Sequence, residues 1–319
     1  MKKLTLFCIT FSVTGALLLG CKPPPELNRN IYRDGNFFPL PDDLKNTGAF
    51  LVLEWNGRKP WVVASGNLID KKKGLIRTAK HFTDSFGKLS LDYCRVFLMN
   101  GKVYKATLTK VPPIRDAAII KLIPPFASDD FPDPLLSASE MPKFGDRVYI
   151  QGLHPHAYDI RQANKKEGFP DQVVNILETY YGQMTKDTSK ESQVVFDNLR
   201  GIRVKPDPDS IRRDPWLSAE DKKALLELEN DRYIKVLTAR DHKFPFGGLS
   251  GGVALNDKGE AFGVITAQNP MRFEIDDQGL FFIPGVGPVP VGEVKKQFWD
   301  VIYITPLDSI KELDEYSKS

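Results

Sequence analysis

The chain has 319 residues, with 44 Lys and Arg against 41 Asp and Glu and a formal net charge of +3. No dense basic stripe appears, so nothing in the charge pattern points to nucleic acid. Of three cysteines, two lie within the first 21 residues. Once that leader is set aside Cys94 stands alone, which excludes an intrachain disulfide and suits a small buried apolar residue.

Met1-Lys2-Lys3 followed by Leu4 to Leu19 is a basic region and then an apolar one, too short to span a bilayer comfortably. It reads as an export signal over residues 1–20, and losing Lys2 and Lys3 with it lowers the formal charge from +3 to +1. Leu18-Leu19-Gly20-Cys21 resembles the lipobox of bacterial lipoproteins. That resemblance implies a diacylated Cys21 as mature N-terminus, and two acyl chains anchor durably where one does not. The protein is therefore expected to be exported and lipid-anchored in the cell envelope. By the same resemblance Lys22, where an acidic residue would favour the inner membrane, implies the outer membrane, facing the periplasm or the cell surface. Residues 21–45, with Pro23-Pro24-Pro25, Pro39 and Pro41, read as a tether.

From Ala49 onward short apolar runs alternate with Gly, Pro, Asn and Asp. Ala49–Leu53, Trp61–Ala64, Gly74–Ala79, Leu89–Leu91, Cys94–Leu98, Val103–Leu108 and Ala117–Leu122 each suit a strand. A proline-rich connector over Pro124–Pro134 leads to a second set opening at Gly145–Gly152. Short strands at near-regular spacing predict an all-β barrel or sandwich.

Phe246-Gly247-Gly248-Leu249-Ser250-Gly251-Gly252 places one Ser among glycines, where backbone N–H groups can converge beside an exposed hydroxyl. Thr78-Ala79-Lys80-His81 and Arg115-Asp116-Ala117 supply a base and an acid upstream. Gly248-Leu249-Ser250-Gly251-Gly252 also fits the elbow of α/β-hydrolases, but that design places its His after the Ser. All four histidines here (His81, His154, His156, His242) precede Ser250, so the order His, Asp, Ser remains. Asp84 and Asp92 lie nearer His81, yet neither leads into an apolar strand as Asp116 does. His154-Pro155-His156 has no nearby Cys and no His-Glu-x-x-His, so it reads as loop rather than as a zinc pair; no metal and no cofactor is expected.

Ser65-Gly66-Asn67-Leu68-Ile69 with Ile76–His81 resembles the first-barrel signature of trypsin-like serine peptidases, most closely their bacterial, disulfide-free, HtrA-like branch. Asp116–Leu122, Gly145–Gly152, Gly182-Gln183-Met184-Thr185, Gly248–Gly252 and Ala261–Thr266 are similar to successive segments of that family. No second glycine-rich module resembles a C-terminal peptide-binding domain. The resemblance implies two six-stranded antiparallel β-barrels, over about 46–135 and 136–319, with a short C-terminal helix. By the same token His81 is the base, Asp116 its orienting acid, Ser250 the nucleophile, and the Gly248 and Ser250 amides the oxyanion donors. A substrate pocket with its base near Phe244 and its wall at Ile265, Thr266 and Ala267 would take a small or medium apolar residue. Protein or peptide substrates follow, while the oligomeric state stays open.

Three positions depart from the family pattern: Leu249 before the nucleophile, Val253 after the second glycine, and Lys80 beside the base. Leu249 and Val253 support a different reading, a catalytically weak or inactive peptidase-fold lipoprotein that acts as a binding scaffold. A stretch over about 155–232 exceeds compact members of the family. Ser218-Ala219-Glu220-Asp221 reads there as a capping box opening a short helix. This insertion is expected to serve access or partner choice, and removal of Lys205 to Asp231 to leave a folded protein. A glycine- and proline-rich loop over Gly279–Gly292 carries Phe281-Phe282-Ile283, expected to pack on the barrel.

Overall fold

The computed structural model describes residues 47–55, 59–89, 92–109, 115–166, 171–175, 192–213, 218–229, 232–238, 247–270, 280–283, 287–290 and 300–307. The expected signal, Cys21, the tether, Phe244, Gly182–Thr185, His242 and the C-terminal helix lie outside these residues. Among the described residues no helix is long and apolar enough to cross a membrane.

The protein is all-β, built on two closed six-stranded antiparallel barrels. The first contains β1 (Gly48–Trp55), β2 (Lys59–Asp70), β3 (Leu75–Thr78), β4 (Cys94–Leu98), β5 (Val103–Leu108) and β6 (Ala118–Leu122). Its order β1-β2-β3-β6-β5-β4 closes because β1 pairs with β2 on one edge and β4 on the other, Ala49 lying opposite both Gly66 and Leu98. A helix, α1 (Lys80–Leu89), follows β3 directly. Phe82 and Phe86, one turn apart, are buried against the barrel with rings edge-to-face at 5.8 Å. The run Leu89–Leu91 is therefore not the expected strand: Leu89 ends α1, and residues 90 and 91 are not described. Cys94 is buried and free, and burial pushes its thiol pKa up.

The second barrel uses β7 (Arg147–His156), β9 (Gln193–Val204), β10 (Ile234–Thr238), β11 (Val253–Leu255), β12 (Ala261–Pro270) and β15 (Asp300–Pro306). Here β9 pairs with both β7 and β10, closing the ring through β15, β12 and β11. A short β8 (Gln172–Val173) extends β9, and β13 (Leu280–Ile283) with β14 (Gly287–Pro290) forms a separate hairpin from the glycine- and proline-rich loop.

Alternation along each strand explains why the apolar runs are continuous. Ala49, Leu51 and Leu53 line the first barrel's core, while Phe50 and Val52 face the other way, towards Leu153, Val194 and Phe196 of the second barrel. Likewise Ile120 and Leu122 point into the first core, while Ile119 meets Tyr149, Val253 and Val264 across the junction. Each such side chain withdrawn from water contributes about 1.5–3 kcal/mol. The two barrels are thus joined by two apolar contacts, one on either flank of the glycine-rich turn.

The stretch over 155–232 is not one surface appendage, because β9 runs through it as a full barrel strand. The additional pieces are α2 (Tyr158–Lys166) and β8 before β9, and α3 (Pro208–Arg213) and α4 (Ala219–Leu228) after it. Ser218 caps α4 as its sequence suggests, accepting from the Asp221 N–H at 3.0 Å and donating to the Asp221 carboxylate at 2.6 Å. Just past α4, Glu229 is buried: it forms an ion pair with Lys235, accepts from Tyr303 Oη at 2.6 Å and from the Asp207 N–H at 2.6 Å. Excising Lys205 to Asp231 would strip Lys235 and Tyr303 of that carboxylate, so the insertion is not separable at those bounds. Glu229→Leu is expected to destabilise by about 3–5 kcal/mol, because it leaves an ammonium buried without its counter-charge. The double variant Glu229→Leu, Lys235→Met should recover most of the loss in a denaturant titration. Equal stability of the single variant and wild type would show that this pair does not dock the insertion.

Candidate active site at the barrel junction

His81 stands at the first turn of α1, immediately after β3, and Asp116 on the turn that enters β6. Because β3 and β6 are neighbours, with Thr78 opposite Ala118, the two residues arrive side by side. Arg115 takes a left-handed φ of 57°, which bends the chain just before Asp116, and its guanidinium donates to the Arg232 carbonyl at 3.0 Å. Asp116 holds His81 twice. One carboxylate oxygen accepts the His81 backbone N–H at 2.9 Å, and the other lies 2.7 Å from His81 Nδ1. The imidazole side chain is 51% exposed while the carboxylate is 18% exposed, so the ring has a free outer edge and a sheltered partner. Tyr233 lies close enough that burial first, and then the Asp116 charge, raises its phenol pKa.

Ser250 is carried by a turn pinned to both barrels. The Gly251 N–H donates to Ile265 O at 2.8 Å, the Ile265 N–H to Gly252 O at 2.9 Å, and the Gly252 N–H to Leu249 O at 3.0 Å. From the first barrel, the Ser65 N–H donates to the Ser250 carbonyl at 2.8 Å. The Ser65 hydroxyl accepts from the Leu153 N–H and shares its one proton between Leu153 O at 2.8 Å and Gly248 O at 3.1 Å. Thr78 Oγ1 completes the clamp by donating to Ser65 O at 2.8 Å. Gly251 has a φ of 87°, and a Cβ there would meet Ser65 O, Thr78 Oγ1 and, at 2.8 Å, Ala79 N. Only glycine lets the turn lie this close to the strand that leads to His81.

The structure thus brings His81 and Asp116 into direct contact and sets the Ser250 turn against the same strand end. The Ser250 hydroxyl itself faces Thr266 O at 3.5 Å, and among the described residues it makes no hydrogen bond to His81. Nor, among those residues, do the N–H groups of Gly248 and Ser250 have an acceptor. Ile265 and Thr266 are buried and Ala267 half-buried; Thr266 Oγ1 and Thr305 Oγ1 are 2.7 Å apart.

The departures have structural explanations. Leu249 is fully buried in the second core with Val148, Ile150 and Phe262, where it acts as a plug holding the turn. Val253 begins β11 opposite Gln151 and Val264, and its side chain packs into the junction cluster. Lys80 reaches Asp84 at 2.6 Å along α1, which occupies that acid with a surface ion pair.

His154 and His156 are not loop residues. Both lie on β7, buried, with His154 opposite Val195 and His156 opposite Gln193 on β9. Their side chains share a face with Asp197. His154 Nε2 pairs with Asp197 Oδ2, His156 Nε2 lies 3.2 Å from the same oxygen, and His156 Nδ1 is 2.8 Å from Asp171 Oδ2. Burial acts against charge on His156, but its two flanking carboxylates prevail and lift its pKa to about 9. The spacing of two histidines on alternate strand positions was in the sequence; the acid that completes the cluster stands 41 residues beyond His156.

No family model matches the chain, and no curated protein is significantly similar to it. The two closed six-stranded barrels are compatible with a chymotrypsin-like peptidase.

Proposed function

We propose that the protein is a serine endopeptidase working through His81, Asp116 and Ser250. The observation that carries this reading is the double hold of Asp116 on His81, on the backbone N–H and on Nδ1, beside a glycine turn bearing Ser250. With Nδ1–H given to Asp116, Nε2 is left as the lone-pair nitrogen on the ring's exposed edge, the form a general base requires. For the reaction the Ser250 hydroxyl would have to leave Thr266 O and turn to Nε2, a tightening common once substrate is present. Oγ then attacks the acyl carbon, His81 returns the proton to the leaving amine, and water repeats the sequence on the acyl-enzyme. The Gly248 and Ser250 amides, without an acceptor among the described residues, suit the developing oxyanion, where one donor is typically worth about 3–4 kcal/mol. A small or medium apolar side chain before the scissile bond, with Ile265, Thr266 and Ala267 as the pocket wall, remains the substrate reading. Lipid attachment at Cys21 would hold the enzyme in the envelope.

The scaffold alternative draws on one observation, the orientation of Ser250 Oγ towards Thr266 O. A fluorophosphonate probe separates the two, since it labels only an activated serine. Labelling of wild type and none of Ser250→Ala is expected. Absence of labelling in folded wild type would overturn the activated serine and favour the scaffold.

A further inference from the structure

We propose that His154, His156 and Asp197 form a binding site for one divalent first-row transition-metal ion, of which Zn²⁺ is the natural probe. Three donor atoms converge there: His154 Nε2, His156 Nε2 and Asp197 Oδ2, with the two nitrogens 3.0 Å apart and His156 Nε2 3.2 Å from the oxygen. A tetrahedral ion with ligand bonds of about 2.0–2.1 Å spaces its ligands by roughly 3.3 Å. The triangle therefore needs an opening of a few tenths of an ångström on two sides and somewhat more on the third, where His154 and Asp197 touch. Two imidazoles with one carboxylate suit zinc-class ions and not Ca²⁺ or Mg²⁺, which select oxygen.

The surroundings support the same reading. Asp171 takes the far nitrogen of His156, and Asn164 Nδ2 in turn donates to Asp171 Oδ1 at 2.7 Å. This carboxylate–histidine relay is the outer shell that fixes a ligating imidazole with Nε2 directed at the ion. Asp197 and Asp171 have side chains only 7% and 4% exposed, so the donor atoms and the outer shell are sheltered from water.

The position gives the site a purpose. His154 and His156 are on β7, Asp197 on β9 and Asp171 on the segment entering β8, so an ion would tie three strands at one end of the second barrel. That end abuts the Ser250 turn: a Cβ added to Gly248 would lie 3.0 Å from Pro155 Cδ and 3.2 Å from His154 Cβ. The ion is assigned a structural role behind the turn, and the proposal stands whether or not Ser250 reacts.

The test uses purified protein stripped with a chelator and titrated with Zn²⁺ by calorimetry, and with Co²⁺ by visible absorption. Uptake of one ion per chain and an intense tetrahedral-type Co²⁺ spectrum are expected. At a free Zn²⁺ concentration of about 100 times Kd, Tm should rise by about 5 °C. Asp197→Asn should abolish the uptake, Asp171→Asn should weaken it about 10–100-fold through loss of orientation, and His81→Ala should leave it unchanged. Should Asp197→Asn fail to fold, the Asp171→Asn affinity and the wild-type Co²⁺ spectrum still decide. No stoichiometric uptake by wild type, a weak six-coordinate Co²⁺ spectrum, or unaltered affinity in Asp171→Asn would each overturn the site. The cluster would then be a proton-bridged ion pair only.

Discussion

Under the proposed mechanism, Asp116→Asn is expected to lower kcat on a peptide substrate by about four orders of magnitude while leaving Tm nearly unchanged. The reason lies in which atom faces which. Asn can keep its oxygen on the His81 backbone N–H, but its NH₂ then points at His81 Nδ1, 2.7 Å from the present carboxylate oxygen. An amide donor there forces the ring proton onto Nε2, the atom proposed to accept from Ser250. The geometry survives while the tautomer is wrong. Asp84→Asn supplies the contrast, because that carboxylate is engaged by Lys80 and points along α1 instead. Its activity should match wild type within about twofold, a difference of less than ~0.5 kcal/mol. If Asp84→Asn were the crippled enzyme and Asp116→Asn the active one, the assignment of the acid would be wrong.

The largest structural effect is expected at Gly251. Replacing it with Ala adds the left-handed cost of about 1–2 kcal/mol to a collision with Ser65 O, Thr78 Oγ1 and the Ala79 backbone. Two of those three atoms are main chain, Ser65 O in β2, which is paired on both edges, and Ala79 N in the tight link between β3 and α1, so neither swings aside as a side chain would. A loss above about 4 kcal/mol places the variant among the exceptional destabilisations, read as a collapse of soluble yield or a much earlier denaturation midpoint. Gly247, four residues earlier, is exposed with nothing within 4 Å of an added Cβ. Gly247→Ala should therefore stay within about 0.5 kcal/mol of wild type. A Gly251→Ala protein as stable as Gly247→Ala would contradict the close approach of turn and strand on which the site depends.

How much of this could be read beforehand varied with the range of the interaction. Cys94–Leu98 and Val103–Leu108 are strands with the bounds their composition suggests, because local runs and turn residues suffice to define them. Ser218 capping α4 was equally local. Leu89 was misread because three residues reading Leu-Ser-Leu alternate like a strand, whereas Phe82 and Phe86, one helical turn apart, carried the stronger signal. β9 was hidden for a different reason. Its buried length includes Asp197, Asn198 and Arg200, polar residues that break the apolar pattern. Asn198 accepts from Gln151 Nε2 at 3.3 Å across the strand pair. The pairing of His81 with Asp116 was inferable from chain order and neighbouring apolar segments. The direction of the Ser250 hydroxyl was not, since a single rotation about one bond decides it and no periodicity records such a torsion.

Leu249 couples two things that sequence change usually alters separately. Its side chain belongs to the interior of the second barrel, while its carbonyl and its neighbour Ser250 belong to the turn at the junction. Trimming Ile150 or Phe262, both within that interior, would leave room for Leu249 to settle deeper and draw the serine with it. The reactivity of one hydroxyl would then report on the volume of a core that no substrate touches. Over generations, substitutions in that core would be filtered by their effect on the turn as much as by their effect on folding.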